Sequence, residues 1–485
     1  MGYNLWSMLE ELKDILQDKC HLNQDRPLIL GVSGGPDSLC VLDVLDRFDY
    51  PLIVVHFNHK LRPNADKDAE IIRQMVGKRK RQFLLGEADV YERAAREKES
   101  IEEAARNERY QFLFQCAEKS NAQAVMVGHT ADDQVETVLM HLIRGSGLSG
   151  LGGMRFRSLP NAWSDKIPLV RPLLEVWRNE VIAYCSAHGL EAILDESNLD
   201  MTFFRNRLRH EMIPYLESYN PEFRKVFVRT VEILQAEEDF IQGSVTKAWA
   251  DCILESGLGY VGFDSGIFYG YPLNIQRHLV RRGISVLRPD MRDIGFNAVE
   301  LALQSLSASK SFAEVDLISG LKMTVEPGRF WIAEWQTDIP TREWPQVKEI
   351  ETRLVVGEPL ILQAGWQLSV RSLPKVDLLP REPWPEDETR VWIDQDQVEL
   401  PLIVRARTPG DRIQPFGMGG RSVKISDYMI NEKLPHRARQ GWPLVCSGKD
   451  IVWVCGYRLA HPFRVKKSTT EVLELRLSQV LEVAP

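Results

Sequence analysis

Within the first 200 residues, short apolar runs recur at intervals that leave room for a helix between successive runs. Residues 27–32 read as a buried strand ending in a glycine-rich turn, 52–55 as a second strand, 82–85 as a third and 124–127 as a fourth. Helical spacing covers 38–47, 65–80, a charged alanine-rich stretch running to Lys119, and a segment from about Asp132 to Arg144. Ser100-Ile101-Glu102-Glu103 is a capping-box signature within the third of these helices. Short apolar strands separated by helices predict an α/β fold with a doubly wound parallel sheet. Such sheets bind ligands beyond the carboxyl ends of their strands. The loops after Val32, Val55 and Val127 are therefore where chemistry is expected.

From about Pro214 to Leu303 the pattern turns helical, with Arg277, Arg281, Arg282 and Arg288 on a basic stretch. Beyond Phe312 short strands take over. Residues 340–396 are rich in Pro, Trp and acidic side chains. The organisation expected is an α/β domain over 1–214, a mainly helical middle domain over 215–340, a linker with strands over 341–399, and a small basic α+β domain over 400–485.

Composition changes this picture in one place. The 485 residues are 44% hydrophobic and 26% charged, an ordinary globular balance that excludes wholesale disorder. The net charge of −8 hides an asymmetry: residues 401–467 hold 13 Lys and Arg against 4 Asp and Glu, a local +9 that leaves −17 for the rest. A basic tail domain of this kind faces a polyanion. No apolar run reaches the ~20 residues that span a bilayer, and the opening Met1-Gly2-Tyr3-Asn4-Leu5-Trp6-Ser7 lacks a basic n-region. A cytoplasmic address and no membrane partner are expected. Seven widely spaced cysteines without a C-x-x-C pair argue for reduced, buried thiols.

Ser33-Gly34-Gly35-Pro36-Asp37-Ser38 follows the first strand and opens a helix. Small residues there let backbone N–H groups close around a phosphate at a helix N-terminus. The Lys-Ser/Thr of a Walker loop is missing, and an Asp stands in the turn. A carboxylate beside phosphates makes sense as a ligand to Mg²⁺. An ordinary strand-to-helix turn with Asp37 as a cap is the plainer alternative. Asp133 and Glu136, three apart on a helix, share one face. They suit an ammonium group, one of them able to take its proton. Spacing alone fits equally well a solvated acidic first turn, with Asp132 as the cap.

The hexapeptide resembles the S-G-G-x-D-S signature of the PP-loop family of ATP pyrophosphatases, whose members cleave ATP between the α and β phosphates. Further segments are similar to the tRNA(Ile)-lysidine synthases within it: His56-Phe57-Asn58-His59-Lys60-Leu61-Arg62, Asn107-Glu108-Arg109-Tyr110, the block from Gly128-His129-Thr130-Ala131-Asp132-Asp133 through Glu136-Thr137, Arg171-Pro172-Leu173-Leu174, Asp195-Glu196-Ser197-Asn198 and Arg205-Asn206-Arg207-Leu208-Arg209. Gly410-Asp411-Arg412, Pro443-Leu444 and Gly456-Tyr457-Arg458 resemble that family's tail domain.

The resemblance implies ATP-dependent ligation of L-lysine to carbon 2 of the wobble cytidine of a tRNA-Ile with a CAU anticodon, through an adenylated cytidine. It makes 1–214 the catalytic domain and 215–340 a tRNA-associated one. Ser33, Gly34, Gly35, Pro36, Asp37, Ser38 and His129 would bind ATP, with Asp37 on Mg²⁺. Arg109 would steady the α-phosphate, Asp133 and Glu136 would receive lysine, and Arg205 and Asn206 would lie near the cytidine. These assignments make Asp37, Arg109, Asp133 and Glu136 the catalytic set. In the tail, Arg405, Arg407, Arg412, Arg421, Lys424, Lys433, Arg437, Arg439, Arg464, Lys466 and Lys467 would neutralise RNA phosphates. The partners expected are the tRNA, lysine and, as a homodimer, a second copy of the chain. The alternatives are another PP-loop enzyme such as a tRNA thiolase, whose paired cysteines are missing here, and a non-catalytic ATP-sensing RNA-binding protein.

Overall fold

The computed structural model describes residues 5–61, 64–193, 200–289, 291, 294–308, 312–341, 343–347, 351–378 and 389–480. They fall into two compact units, Met1–Gly243 and Ser244–Pro485.

In the first unit, helix α1 (Leu5–Asp14) precedes strand β1 (Leu28–Gly31), helix α2 (Pro36–Arg47), strand β2 (Leu52–Asn58), helix α3 (Ala65–Lys78) and strand β3 (Gln82–Glu87). Helices α4 (Val90–Glu97) and α5 (Ile101–Lys119) lead to strand β4 (Ala124–Met126) and helix α6 (Ala131–Ile143). Then come α7 (Leu148–Leu151), β5 (Arg157–Ser158), β6 (Leu169–Val170) and α8 (Arg178–Ala187). The unit continues with α9 (Phe204–Arg207), a π-helical turn over Leu208–Met212, α10 (Ile213–Tyr219) and the start of α11 (Phe223–Cys252).

The sheet runs β3-β2-β1-β4-β6-β5. All neighbours are parallel except the β5–β6 pair. Strands β1, β2 and β4 are buried without alternation because helices cover both faces. Leu28, Leu30 and Val54 pack with Leu39, Leu42, Ile72 and Tyr184 on one side. Ile29, Ile53 and Val125 pack with Tyr110 and Leu113 on the other. Strand order reverses between β1 and β4, the switch point at which doubly wound sheets hold ligands. Ser100 caps α5 as its signature predicts, accepting from the Glu103 N–H.

The second unit departs from the helical expectation early. Strands β7 (Ile253–Gly257) and β8 (Tyr260–Asp264) form a hairpin before α12 (Ser265–Gly270), α13 (Leu273–Leu287) and α14 (Phe296–Ala308). With β9 (Ala313–Asp316), β10 (Leu321–Glu326) and β11 (Arg329–Glu334) they make a five-stranded sheet, β7-β8-β11-β10-β9. Gly259 allows the hairpin: its φ is +81°, and a Cβ there would lie 2.4 Å from the Thr337 hydroxyl oxygen.

The Pro- and Trp-rich stretch supplies β12 (Glu351–Leu354), β13 (Leu360–Ile361), β14 (Trp366–Pro374) and β15 (Arg390–Asp394). The tail adds β16 (Leu402–Arg405), β17 (Arg412–Ile413), β18 (Val423–Lys424), α15 (Ile425–Asn431), β19 (Leu444–Ser447), β20 (Asp450–Val454) and β21 (Glu471–Gln479). Two four-stranded sheets result, β12-β16-β19-β20 and β13-β14-β21-β15, with β17-β18 as a separate pair. They share a core of Leu368, Ile393, Val404, Met429, Trp453 and Leu473. All seven cysteines are buried free thiols.

Candidate active site

The glycine-rich turn is held by its own serines. Ser38 Oγ donates to the Gly35 carbonyl at 2.9 Å, and the Ser33 N–H donates to Ser38 Oγ at 3.3 Å. Gly34 has φ +88°, and a Cβ there would lie 2.8 Å from the Ile193 side chain. Gly35 is the N-cap of α2 and Pro36 its first residue, where a missing N–H costs nothing. Asp37 is therefore inside the helix and is not its cap. No side chain caps α2, so its first N–H groups and positive dipole end suit an incoming anion.

Asp37 carries the strongest sign of a ligand. Its Oδ1 is buried without a hydrogen-bond partner. Its Oδ2 stands 3.7 Å from the Arg178 guanidinium. Burial pushes its pKa up to about 6, against the pull of Arg178 and helped by Asp133 and Asp132. A buried carboxylate oxygen without a donor fits a magnesium ion, which commonly takes one or two protein carboxylates and completes its shell with substrate phosphates and water. Among the described residues no cluster of three or more His, Cys, Asp or Glu stands ready to cage a metal. Gly128 keeps the two loops in contact: a Cβ there would lie 2.9 Å from the Asp37 carbonyl.

Helix α6 begins differently from the sequence expectation. Its N-cap is Thr130, whose side chain accepts from the Asp133 N–H, while Asp133 Oδ2 accepts from the Thr130 N–H at 2.8 Å. This reciprocal box corrects the reading of Asp132 as the cap. Asp132 instead accepts from the Arg178 N–H at 2.8 Å and pairs with Arg224.

Glu136 is 1% exposed, and both its oxygens are taken by arginines. Arg205 Nε donates to Oε2 at 2.6 Å and Arg209 Nε to Oε1 at 2.6 Å. Arg205 also reaches Asp133 Oδ1 at 2.9 Å. Burial works against a charge on Asp133, yet Arg205 and the Thr130 N–H bring its pKa below the ordinary carboxylate value. Asp133, Glu136 and Arg205 are thus brought together. Arg209 belongs with them: the basic segment Arg205–Arg209 contains it, and its four-residue spacing from Arg205 puts both on one helix face.

His129 Nδ1 accepts from Arg171 Nε at 3.2 Å. Burial pushes its pKa well below the ordinary imidazole value, so near neutral pH the bond leaves the ring proton on Nε2. Arg171 is fixed by the Arg155 carbonyl and Ser158 Oγ, both at 3.0 Å. Arg109 on α5 has a buried Nε without a hydrogen-bond partner. One turn earlier Arg106 lies exposed over Tyr110, whose ring stacks on Trp163 at 4.1 Å between centroids. Asn206 is buried and donates to the Asp200 carbonyl at 2.8 Å. Arg62 and residues 195–198 lie outside the described residues.

The basic tail is less free than its composition implies. Arg405 is buried and holds Asp411 with two bonds of 2.7 and 2.9 Å. Arg437 holds Glu326 in the same fork, at 2.7 and 2.9 Å. Those two arginines are internal counter-ions and leave the set expected to contact phosphates. Arg412, Arg421, Lys424 and Lys433 remain exposed.

A glycine-rich turn at the switch point of a parallel sheet, with an unpartnered carboxylate in the helix it opens, defines the PP-loop class of nucleotide-binding domain. Residues 6–216 match the family described as PP-loop domain, and residues 402–477 the one described as TilS substrate C-terminal domain. The chain is 31% identical over 456 residues to the tRNA(Ile)-lysidine synthase of Geobacter sulfurreducens, covering 93% of each. It is 32% identical over 465 residues to that of Parabacteroides distasonis, covering 93% of this chain and 95% of that one. It is 31% identical to the Symbiobacterium thermophilum enzyme, over 96% of this chain and 97% of that one. The chain belongs to the tRNA(Ile)-lysidine synthase family.

Proposed function

We propose that the chain joins L-lysine to carbon 2 of the wobble cytidine of a tRNA-Ile with a CAU anticodon, using ATP and releasing AMP and pyrophosphate. The observation that carries the assignment of roles is the adjacency of two unlike parts. One is an anion cradle with an unpartnered Asp37 oxygen; the other is an Asp133–Glu136 pair whose counter-ions are the arginine side chains of Arg205 and Arg209.

ATP phosphates lie on the turn from Ser33 to Ser38, with His129 as a neutral donor beside them. Asp37 would hold magnesium, whose chemistry is to neutralise charge on the leaving pyrophosphate. The cytidine carbonyl oxygen attacks the α-phosphorus, and the bond from that phosphorus to the bridging oxygen breaks. Arg109, a permanent planar cation, steadies the charge that builds on the α-phosphate. In the second half the lysine ε-nitrogen bonds to carbon 2, the carbon–oxygen bond breaks and AMP leaves with that oxygen.

Asp133 and Glu136 receive the amine. A carboxylate held below its ordinary pKa suits Asp133 to binding an ammonium more than to taking its proton. For lysine to enter, Arg205 and Arg209 must give up part of their hold on the pair; Arg209 sits in the π-helical turn at Leu208–Met212, an irregularity frequent at functional sites. The exposed tail cations bind the tRNA backbone. The thiolase alternative needs accessible sulfur, and all seven thiols are buried.

The test is pyrophosphate and AMP release measured with each substrate omitted in turn. Pyrophosphate release should require tRNA without lysine, while AMP release should require all three. Pyrophosphate release that ignores tRNA would sink the reading.

A further inference from the structure

The second unit contains a pocket of about 540 Å³, into whose lining two of the tail cations, Arg407 and Arg439, are drawn. That volume is typical of sites for small ligands. Part of its lining is aromatic: Phe312 and His436 stack with centroids 3.8 Å apart and planes at 20°. Burial, together with Arg439, lowers the His436 pKa, so its ring is a neutral surface near pH 7.

The cations around this stack are of two kinds. Lys322 is paired with Glu314 at 3.0 Å and Arg437 is committed to Glu326, so neither has charge to spare. Arg407 and Arg439 differ. Among the described residues Arg407 hydrogen-bonds only the neutral Gln440 side chain, at 3.2 Å, and its Nε is buried without a partner. Arg439 Nε donates to the Leu434 carbonyl at 2.9 Å. Among the described residues neither has a carboxylate partner. Burial and the proximity of Arg407 lower the Arg439 pKa, the mark of two like charges held close. Paired guanidinium groups of this kind suit a phosphate, which takes their planar forks. The lining also offers Asp338 and the Thr337 and Thr341 hydroxyls, acceptors of the sort that hold a ribose.

We propose that this pocket is a second nucleotide site: Arg407 and Arg439 bind a phosphomonoester, and the Phe312–His436 stack supports the planar base it carries. Every lining residue lies in the second unit, so the site is separate from the cradle of the first. The phosphomonoester has two sources, a free nucleotide or the 5′-phosphorylated end of an RNA, and both present the same chemistry.

The test uses the full chain with its cradle saturated by a non-hydrolysable ATP analogue and UMP as the probe. UMP should bind, inorganic phosphate should compete, and Arg407→Ser or Arg439→Ser should each weaken binding about tenfold or more, the loss expected for one charge-assisted contact. Arg407→Lys keeps a charge without the fork; it should weaken UMP several-fold at an unchanged melting temperature, which separates a lost contact from a lost fold. His436→Ala should weaken UMP but leave phosphate alone. A short RNA with a 5′-phosphate, compared with its 5′-hydroxyl twin, separates the sources: a phosphate-dependent advantage over UMP assigns the site to an RNA end, and parity with UMP assigns it to free nucleotide. No UMP binding to the wild type, or binding that both Ser variants leave intact, overturns the proposal.

Discussion

Two buried glutamates, one in each unit, are bracketed by arginines, and they behave differently. Glu326 accepts both forks of Arg437, a bond from Arg329 at 3.1 Å and one from the Trp331 indole at 3.3 Å. Arg437 also donates to the Ile339 carbonyl at 2.8 Å and lies over the rings of Trp331 and Trp344. This is a closed lock. Glu136 is equally well paired, but its neighbour Asp133 lies near Asp37, a carboxylate whose Oδ1 is buried without a partner, whereas the unpartnered atom that shares a pocket with Arg437 is a cation's, the Arg407 Nε. A buried ion pair is weak evidence of function, since structure uses the same chemistry. Unsatisfied polar atoms beside it are stronger evidence, because a fold tolerates few of them without a ligand to meet them.

The sharpest way to break the comparison is Asp37→Ala. It should lower pyrophosphate release by about 10²–10³-fold or more, the scale of losing one preorganised electrostatic contact. The melting temperature should hold or rise, because a buried carboxylate with a raised pKa is not a stabilising one. A near-normal rate would strip the orphaned oxygen of its meaning.

Next comes the exchange of roles between the glutamates. Glu326→Gln leaves Arg437 without its charge partner and should cost about 3 kcal/mol, or roughly 6–12 °C for a unit of this size. At a temperature where the variant is folded, its kcat/KM for ligation should be unchanged. Glu136→Gln should raise the KM for lysine about tenfold while ATP dependence stays within about twofold. Loss of ATP binding instead would reverse the assignment of the two pockets.

A smaller effect follows from pH. Burial raises the Glu326 pKa, but Arg437 and Arg329 more than offset it, and the folded value lies below the ordinary carboxylate value. A depressed carboxylate stabilises the fold above its unfolded pKa and loses that contribution as pH falls through the folded value. Melting of the second unit should therefore decline below about pH 4.5, and Glu326→Gln should flatten that decline. Identical profiles would show that the pair carries no pH-linked stability.

The mildest prediction concerns the tail. Replacing Arg412, Arg421 and Lys424 with Ala should lower the slope of log tRNA affinity against log salt by about 2–3, at about 0.9 per duplex phosphate. Arg405→Ala should reduce stability and leave the slope alone. Equal slopes for the triple variant and the wild type would place the RNA elsewhere.

The first unit was legible because its strands are local apolar runs and its helices carry local caps, each written within a few residues. The glycine-rich turn was legible for the same reason. The β7–β8 hairpin was not: its partner β11 lies far along the chain, and its own run of Tyr260, Val261 and Phe263 is too short to separate from a helical background. Thr130 and Asp133 spell a capping box, but the adjacent Asp132 makes an acidic pair that resembles a cap by itself. The pairing of Arg205 with Glu136 and of Arg437 with Glu326 had no local signature, as these partners are brought in from 69 and 111 residues away. For that reason the tail's composition overstated its free charge by including Arg405 and Arg437.

The distance along the chain between Glu136 and its arginines also sets an order of events at birth. At about 5–20 residues per second of synthesis, the 69 residues from Glu136 to Arg205 take roughly 3–14 s to make. Helix α6 does not have to wait, because Thr130 and Asp133 close its first turn as soon as both exist. Its acidic face does wait, and its neutralisation is completed only when Arg209 has cleared the ribosome. A nascent chain shorter than that already owns the phosphate-binding turn while its amine pocket still lacks the cations that guard it.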